Sequence, residues 1–218
     1  MYWLSGFDSD GFSIFSCMFI GTEGKLTHLA RPADLGNAFY SSICVDVRTA
    51  PDSSKVSRSE QIKEMLNALG MQGKRIGIQV DTMGLTPRLF LEIKDALDGW
   101  CELIIAPDFI RELRLVKSPQ ELDYLRKAGE ILDVALDKTL EATFAGAYEG
   151  DIYATFYDTL FRPGGDLPAH IPPIGSGKSA LNLRHTTKRK YVGEHEKVTL
   201  ETTSDTHLTL PTQRILPT

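Results

Sequence analysis

A helix-start signal in the middle of the chain constrains its organisation more than any other feature. Ser118, Pro119 and Glu121 occupy the N-cap, first and third helical positions of this signal. An N-cap serine hydroxyl can accept the backbone N–H three residues on, a glutamate there can return the bond, and proline suits the first turn. Leucines that we expect to form the buried face then recur at helical spacing: Leu122, Leu125, Leu132, Leu136 and Leu140. The chain is therefore predicted to divide near residue 115, where a long helix opens its second part.

The first part alternates between strand-like and helix-like patterns. Residues 59–69 and 87–97 place apolar side chains at helical spacing, whereas 75–80 and 101–106 are short apolar runs typical of strands. An aromatic-rich run over 12–20 predicts an earlier strand. Because strands and helices alternate at short distances, this part is predicted to be a small α/β domain.

The amino-acid composition of the second part changes after one more predicted helix. Residues 151–161 are amphipathic, with three apolar side chains in register: Ile152, Phe156 and Leu160. Glycine and proline dominate 163–168 and 172–177, which cannot continue a helix and are predicted as loops between short strands. Residues 198–201 are predicted to begin one further strand.

Charge and hydropathy exclude several classes of function. The 218-residue chain has 24 Lys and Arg residues against 29 Asp and Glu residues, a net charge of −5, so it lacks the basic surface typical of a nucleic-acid binder. No apolar run approaches the ~18 residues of a spanning helix, and no signal-peptide pattern opens the chain. The three cysteines form no CxxC pair. These patterns favour a soluble cytoplasmic protein with no nucleic-acid or membrane partner.

Two short motifs in the second part do not support the functions they suggest. Residues 175–179 contain Gly-Lys-Ser, but a phosphate-binding loop needs a glycine five residues before that triplet. Pro172 stands there and has no N–H to offer a phosphate. The four cations within 184–190 lack the interleaved aromatic side chains of a nucleic-acid surface, and we interpret them as the tip of a solvated hairpin.

Among the five histidines, His185 is the candidate for proton transfer. It follows a glycine- and proline-rich loop, and loops on rigid scaffolds often carry catalytic groups. An imidazole near its unperturbed pKa can accept and return a proton at neutral pH. A surface or structural histidine is the alternative that spacing alone leaves open. Asp166 can orient an imidazole, but after Gly164 and Gly165 we favour its reading as a turn cap.

Residues 113–122 resemble the inter-domain junction of the creatinase/prolidase/aminopeptidase P family. Residues 2–7, Tyr-Trp-Leu-Ser-Gly-Phe, resemble the strand and turn near that family's N-terminus, and 75–81 resemble one of its later strands. The family joins a small α/β domain to a C-terminal pita-bread domain. The resemblance implies a creatinase-type N-terminal domain over 1–115 that lacks its first residues, since residues 2–4 look like a strand already inside a sheet.

The second part resembles the ectoine hydrolase branch of the same family. The loops over 164–168 and 174–177, then His185, then the strand at 198–201, follow the order of that branch. The fold class implied is an α/β N-terminal domain plus the start of an α+β pita-bread domain, which is incomplete and covers 116–201.

Residues 202–218 resemble no part of the family, and the change after Glu201 is abrupt and falls inside a strand. We interpret these residues as a foreign tail, produced by a frameshift, an assembly artefact or read-through, and the chain as C-terminally truncated. A sheet interrupted in this way exposes an open edge and an apolar face. We therefore expect the polypeptide alone to be poorly soluble and inactive.

The resemblance implies roles for individual residues. His185 matches the family histidine that shuttles a proton to the leaving nitrogen in creatinase-type members and contacts the substrate in metal-dependent ones. Glu201 matches the first metal ligand of the metal-dependent members, which is an aspartate, and the longer side chain weakens the metal interpretation. Phe12 aligns with an aromatic residue that reaches the neighbouring active site, and Asp166 is a further candidate for substrate binding. Ile14 stands where creatinase has its substrate-binding arginine, which disfavours creatine.

These matches predict a hydrolase of C–N bonds in small molecules, of the ectoine hydrolase or creatinase type and without a cofactor. A metal-dependent Xaa-Pro dipeptidase or aminopeptidase, with Mn, Co or Zn, is the alternative. A third interpretation is an inactive fragment in which residues 1–115 act only as a dimerisation or interaction module. The expected partners are a small-molecule or Xaa-Pro substrate and a second copy of the chain.

Overall fold

The chain forms two compact units, and the division falls between Val116 and Lys117. The computed structural model describes six stretches of the chain: residues 1–9, 14–52, 55–106, 108–168, 171–182 and 189–201. Within these stretches, no helix is both long and apolar enough to cross a membrane.

The first unit alternates helices and strands, as its sequence pattern predicts. Its elements are α1 (Tyr2–Ser5), β1 (Cys17–Ile20), β2 (Leu26–Ala30), a 3₁₀ turn (Pro32–Asp34), α2 (Leu35–Ser41), β3 (Asp46–Thr49), α3 (Arg58–Ala68), β4 (Arg75–Ile78), α4 (Pro87–Leu97), β5 (Glu102–Ile105) and α5 (Phe109–Leu115). Strand β2 pairs antiparallel with β1 and parallel with β3, and β4 pairs parallel with β5. These pairings make the unit an α/β domain.

One apolar core joins the strands of the first unit to α3 and α4. Its buried members come from β2, α3, β4, α4 and the residue that follows β3: Leu29, Ala50, Ile62, Met65, Leu66, Ile76, Ile93 and Leu97. Local signals start both helices. Ser57 and Glu60 form a capping box at α3, while the Thr86 hydroxyl accepts the Leu89 N–H ahead of Pro87 at α4. The predicted helices at 59–69 and 87–97 are confirmed.

The strand predicted for residues 2–4 is wrong, because these residues form the single helical turn α1. Gly6 ends this turn in the left-handed conformation (φ 75°), and its N–H donates to the Tyr2 carbonyl at 2.7 Å. The Ser5 hydroxyl donates to the Met1 carbonyl at 3.0 Å and tightens the turn. An apolar triplet followed by Ser-Gly fits a strand or a short helix equally well, and the capping bonds decide for the helix. The strand predicted over 12–20 covers only Cys17–Ile20 among the residues described.

The second unit consists of two helices and a small antiparallel sheet. Its elements are α6 (Pro119–Glu141), α7 (Glu149–Phe161), β6 (Ile174–Ser176), a 3₁₀ helix (Gly177–Leu181) and β7 (Val198–Leu200). The predicted start of α6 is confirmed. The Ser118 hydroxyl accepts the Glu121 N–H at 3.2 Å, and the Glu121 carboxylate accepts the Ser118 N–H at 2.7 Å. The predicted helix at 151–161 is also confirmed, and all three of its register residues are buried.

The predicted buried face of α6 is wrong in part. Leu122 is 40% exposed and Leu140 is 51% exposed, whereas the buried residues of the helix are Ala128, Ala135 and Thr139. Small side chains on this line let α7 approach closely, so that the Phe156 ring of α7 packs against Ala135 and is fully buried. The leucines flank this contact line, and burial here follows side-chain size rather than hydrophobicity alone.

The glycine- and proline-rich stretch 172–177 was predicted to be a loop, but its last part is the buried strand β6. Ile174 pairs with Leu200, and Ser176 pairs with Val198. All three residues of β6 are buried, since the strand lies between β7 and the residues around the start of α7. Because this stretch is rich in glycine and the strand has only three residues, the sequence pattern does not indicate a strand here.

Candidate functional site

A buried carboxylate lies where β6 meets the start of α7. Glu149 occupies the first position of α7, and its side chain is completely buried. Its Oε1 atom accepts the Ser176 N–H at 2.9 Å and the Ser176 hydroxyl at 2.6 Å. Ser176 is completely buried as well. A carboxylate without solvent needs such donors, because an isolated buried charge is strongly unfavourable.

Residues 190–192, which follow the undescribed stretch 183–188, are bonded to the start of α7. The Glu149 N–H donates to the Lys190 carbonyl at 3.0 Å, and Tyr148 and Tyr191 form an antiparallel β-bridge. The Val192 N–H donates to the Ala147 carbonyl at 2.8 Å. Residues 190–192 are therefore fixed to the start of α7 by backbone bonds.

Lys190 and Glu196 extend this network towards solvent. The Lys190 ammonium donates to the Ser176 carbonyl and to Glu196 Oε2, each at 3.1 Å. The Gly193 N–H, which donates to the Glu196 carboxylate, and then Lys190 hold the pKa of Glu196 below its ordinary value. Gly177 has a φ of 57°, and a Cβ on it would collide with this carboxylate. Glycine at 177 therefore allows both the turn after β6 and the close approach of Glu196.

Two of the residues predicted for the site lie outside the described residues. These are His185, in the gap at 183–188, and Phe12, in the gap at 10–13. Their proposed roles stay predictions. The hydrogen bonds around Glu149 nevertheless hold the described residues on both sides of 183–188.

The structure describes Asp166 as an exposed residue whose carboxylate accepts the N–H of Leu167 at 2.7 Å. This contact joins neighbouring residues only, so the interpretation of Asp166 as a turn cap also stays a prediction. A role for Asp166 in substrate binding stays a prediction.

Glu201 follows β7 directly and is exposed, and its N–H donates to the Pro173 carbonyl at 3.0 Å. Among the residues that the structure describes, no group of three or more His, Cys, Asp and Glu side chains could hold a metal ion. Within the described stretches, Glu201 therefore belongs to no three-ligand metal group.

No sequence pattern indicated Glu149, and the pattern around Lys190 indicated a different environment from the one observed. An acidic residue in the first turn of a helix normally interacts with the helix dipole from solvent, so Glu149 carried no distinctive signal. Lys190 was interpreted as a solvated cation, but its side chain is only 33% exposed and bonds to Ser176 and Glu196. Ser176, within the rejected phosphate-loop motif, instead donates to Glu149.

A second buried titratable group lies in the first unit. His28 of β2 is completely buried, its Nε2 atom lies 2.6 Å from the Ser16 hydroxyl, and the Phe7 ring packs on it edge to face. Burial lowers the pKa of His28, Asp34 opposes the shift, and the charge of the N-terminus adds to it. Its Nδ1 atom has no hydrogen-bond partner among the residues described.

Comparisons with known proteins agree with this architecture. The model of the creatinase/prolidase N-terminal domain matches residues 1–116. The ectoine hydrolase of Halomonas elongata is 25% identical over 201 residues, which cover 83% of this chain and 49% of that enzyme. The Xaa-Pro aminopeptidase of Escherichia coli is 26% identical over 148 residues, which cover 63% of this chain and 34% of that enzyme.

The fold of a solved structure also matches both units. The Xaa-Pro dipeptidase of Bacillus anthracis has a TM-score of 0.68 at 18% identity, and the match covers 91% of this chain and 52% of that protein. The chain thus spans about half the length of the ectoine hydrolase and of the dipeptidase. The predicted α/β domain followed by the start of a pita-bread domain is confirmed. Since the family model covers more than half of its residues, the chain belongs to the creatinase/prolidase family.

Proposed function

We propose that the chain supplies the first half of a C–N bond hydrolase in which His185 transfers the proton. The observation that carries the proposal is the fixed backbone on both sides of residues 183–188. On the entry side, the Gly177 N–H donates to the Lys197 carbonyl at 2.8 Å. On the exit side, the bond between Val192 and Ala147 and the bridge at Tyr191 hold the returning chain.

A fixed frame of this kind suits acid–base chemistry. Breaking a C–N bond leaves charge on the nitrogen unless a donor protonates it as the bond breaks. The donor must stay within hydrogen-bond distance of that nitrogen, so the backbone that carries it has to be held at both ends. An imidazole with a pKa of about 6.5 can give the proton and then regain it from water at neutral pH.

We favour an ectoine-like small molecule as the substrate, because the alignment with the ectoine hydrolase covers the larger share of this chain. An Xaa-Pro peptide is the alternative and is supported by the aminopeptidase relative and the dipeptidase fold. If the alternative holds, we expect residues outside the described stretches to bind a divalent metal.

The test begins with resequencing of the coding DNA on both sides of the Glu201 codon. The product of that DNA is assayed with ectoine and with an Xaa-Pro dipeptide, each with and without added Mn²⁺. Metal-independent hydrolysis of ectoine that His185→Ala lowers by about 10²–10⁴-fold, as expected for the loss of an acid–base group, supports the proposal. Metal-stimulated cleavage of the dipeptide supports the alternative. Full activity of His185→Ala contradicts the role of His185.

A second candidate function is an interaction module formed by the first unit. Tyr40 at the end of α2 is 90% exposed and Val45 before β3 is 77% exposed, with Phe39 and Ile43 exposed beside them. Apolar side chains grouped in this way suit a protein contact, here a second copy of the chain. Sedimentation velocity of the wild type and of Tyr40→Ser tests this function. A strict monomer at all concentrations contradicts it.

A further inference from the structure

We propose that Ser16 is a nucleophile with His28 as its general base, and that this pair takes the acyl group of small activated esters. Both residues lie in the first unit, and the inference does not depend on the function proposed above. A serine hydroxyl is a weak nucleophile by itself. It becomes reactive when an imidazole within hydrogen-bond distance removes its proton as the oxygen attacks.

The pairing of β1 with β2 brings the two side chains together. His28 of β2 lies opposite Met18 of β1, and Ser16 directly precedes β1, two residues before Met18. Residues two apart on a strand share a face of the sheet, and diagonal neighbours across an antiparallel pair lie within reach of each other. The distance from Ser16 Oγ to His28 Nε2 is 2.6 Å. Nucleophile and base are typically about 2.6–3.2 Å apart, so the pair has the distance that the reaction requires.

The direction of this hydrogen bond follows from the acceptors around the Ser16 hydroxyl. Met1 Sδ lies 3.5 Å from Ser16 Oγ, whereas His28 Nε2 lies 2.6 Å from it. A thioether sulfur is a weak acceptor, and a neutral imidazole offers one nitrogen lone pair. We therefore assign the hydroxyl proton to the bond with Nε2 and the ring proton to Nδ1.

The surroundings of His28 hold its ring in place and keep it available as a base. The ring is completely buried, and the Phe7 ring packs on it edge to face at a centroid distance of 4.5 Å. Burial lowers the pKa of His28, so the ring is neutral at pH 7 and can accept a proton. The charge of Asp34 opposes this shift and that of the N-terminus adds to it. Asp34 therefore stabilises the imidazolium that forms when the hydroxyl proton is transferred.

The chemical step needs no group beyond the pair and the ester. The Ser16 oxygen forms a bond to the acyl carbon, and the bond from that carbon to the leaving oxygen breaks. The hydroxyl proton passes to His28 Nε2 and from there to the leaving group or to water. Ser16 is half-buried, whereas His28 has no exposed surface, so the nucleophile and not the base is the residue that meets solvent.

The experiment treats the full 218-residue chain with p-nitrophenyl acetate and locates acetylated serines by mass spectrometry early in the reaction. We expect acetylation of Ser16 and none of Ser118. Ser118 is the matched control, because it is exposed and its hydroxyl accepts the Glu121 N–H instead of contacting an imidazole. Ser118→Ala should acetylate Ser16 at the wild-type rate. His28→Gln should slow the reaction at Ser16 by about 10²-fold or more, as expected for the loss of a general base.

The pH dependence of the reaction gives a second test that keeps the His28 ring. In the wild type, the rate at Ser16 should rise as His28 loses its proton and be constant above pH ~7, because the pKa of this ring lies below ~6.5. Asp34→Asn removes the charge that favours the protonated ring, so the midpoint of the profile should move to lower pH. A serine that only fills a hydrogen bond to a buried ring would show neither effect.

Three results would overturn the inference. The first is a folded wild type in which Ser16 is not acetylated faster than Ser118. The second is an equal rate at Ser16 in the wild type and in His28→Gln. The third is a rate that continues to rise between pH 7 and pH 9, because hydroxide and not His28 then takes the proton. If His28→Gln fails to fold, the profiles of the wild type and of Asp34→Asn decide, and identical midpoints contradict the role of His28.

Discussion

Single buried polar residues organise both units of this protein. In the second unit, Glu149 is held by the N–H and hydroxyl of Ser176. In the first unit, His28 has a hydroxyl contact on one side and apolar packing on the other. The first residue has two hydrogen-bond donors on one carboxylate oxygen, whereas burial of the second lowers its pKa and favours the neutral imidazole.

Protonation of His28 should destabilise the first unit. Since the pKa of His28 is lower in the folded protein than its ordinary value of about 6.5, the unfolded chain takes up the proton first as the pH falls. The stabilisation is complete above pH ~6.5 and is lost progressively below it, down to the folded pKa. Thermal unfolding between pH 8 and pH 5 should show a falling Tm.

A variant that lacks the His28 imidazole gives the control. His28→Gln cannot titrate, so its Tm should change less than that of the wild type between pH 8 and pH 5. Equal pH dependence of the two proteins would assign the effect to other groups.

At the scale of elements, the capping box of α6 should contribute measurably to stability. Ser118→Ala removes the acceptor for the Glu121 N–H, and we expect it to lower the free energy of unfolding by ~1 kcal/mol. Ser118→Gly should lower the free energy of unfolding by only a few tenths of a kcal/mol, because glycine is also tolerated at the N-cap position. Urea unfolding followed by circular dichroism measures both variants, and equal losses would argue against the cap.

The contact between α6 and α7 depends on a small residue at 135. Ala135 is completely buried against Phe156, so Ala135→Leu should overpack the contact and cost ~1–3 kcal/mol of unfolding free energy. The neighbouring Val134 is exposed, and Val134→Leu should change the stability by less than ~0.5 kcal/mol. A neutral Ala135→Leu, measured in the same urea titration, would contradict the packing described here.

Helices of this protein were predictable where local signals agree with their apolar spacing. The Ser118 and Glu121 box, the Pro87 start and the register of Ile152 and Phe156 belong to this group. Strand β6 was not predictable, because its three residues include a glycine and its burial comes from partners distant in sequence.

In the candidate site too, one feature could be predicted from the sequence and the others could not. His185 stands out by its place after a glycine- and proline-rich loop, a local feature. The hydrogen bonds that join Glu149, Ser176 and Lys190 link residues 27 and 14 positions apart, and such pairings depend on the fold. Sequence patterns cannot show these pairings without the fold.

At the scale of the whole molecule, we propose a domain boundary near residue 116, where the chain divides into its two units. Val116 is 86% exposed and lies between helices α5 and α6. An exposed connection is a preferred site of proteolysis. Brief digestion with trypsin should therefore cleave after Lys117, as mass spectrometry of the fragments would show. Lys117→Gln should remove this cleavage, and protection of the bond in the wild type would contradict the boundary.

The hydrogen bonds that join Glu149, Ser176 and Lys190 also bear on how such a protein changes over evolutionary time. With both ends of the 177–190 segment tied to one place, doubling the length between them costs only ~0.6 kcal/mol of closure entropy. Insertions between these two ends therefore cost little free energy of loop closure. A combinatorial library confined to residues 182–189 would vary the sequence between the two ends and leave the hydrogen bonds at Glu149 unchanged.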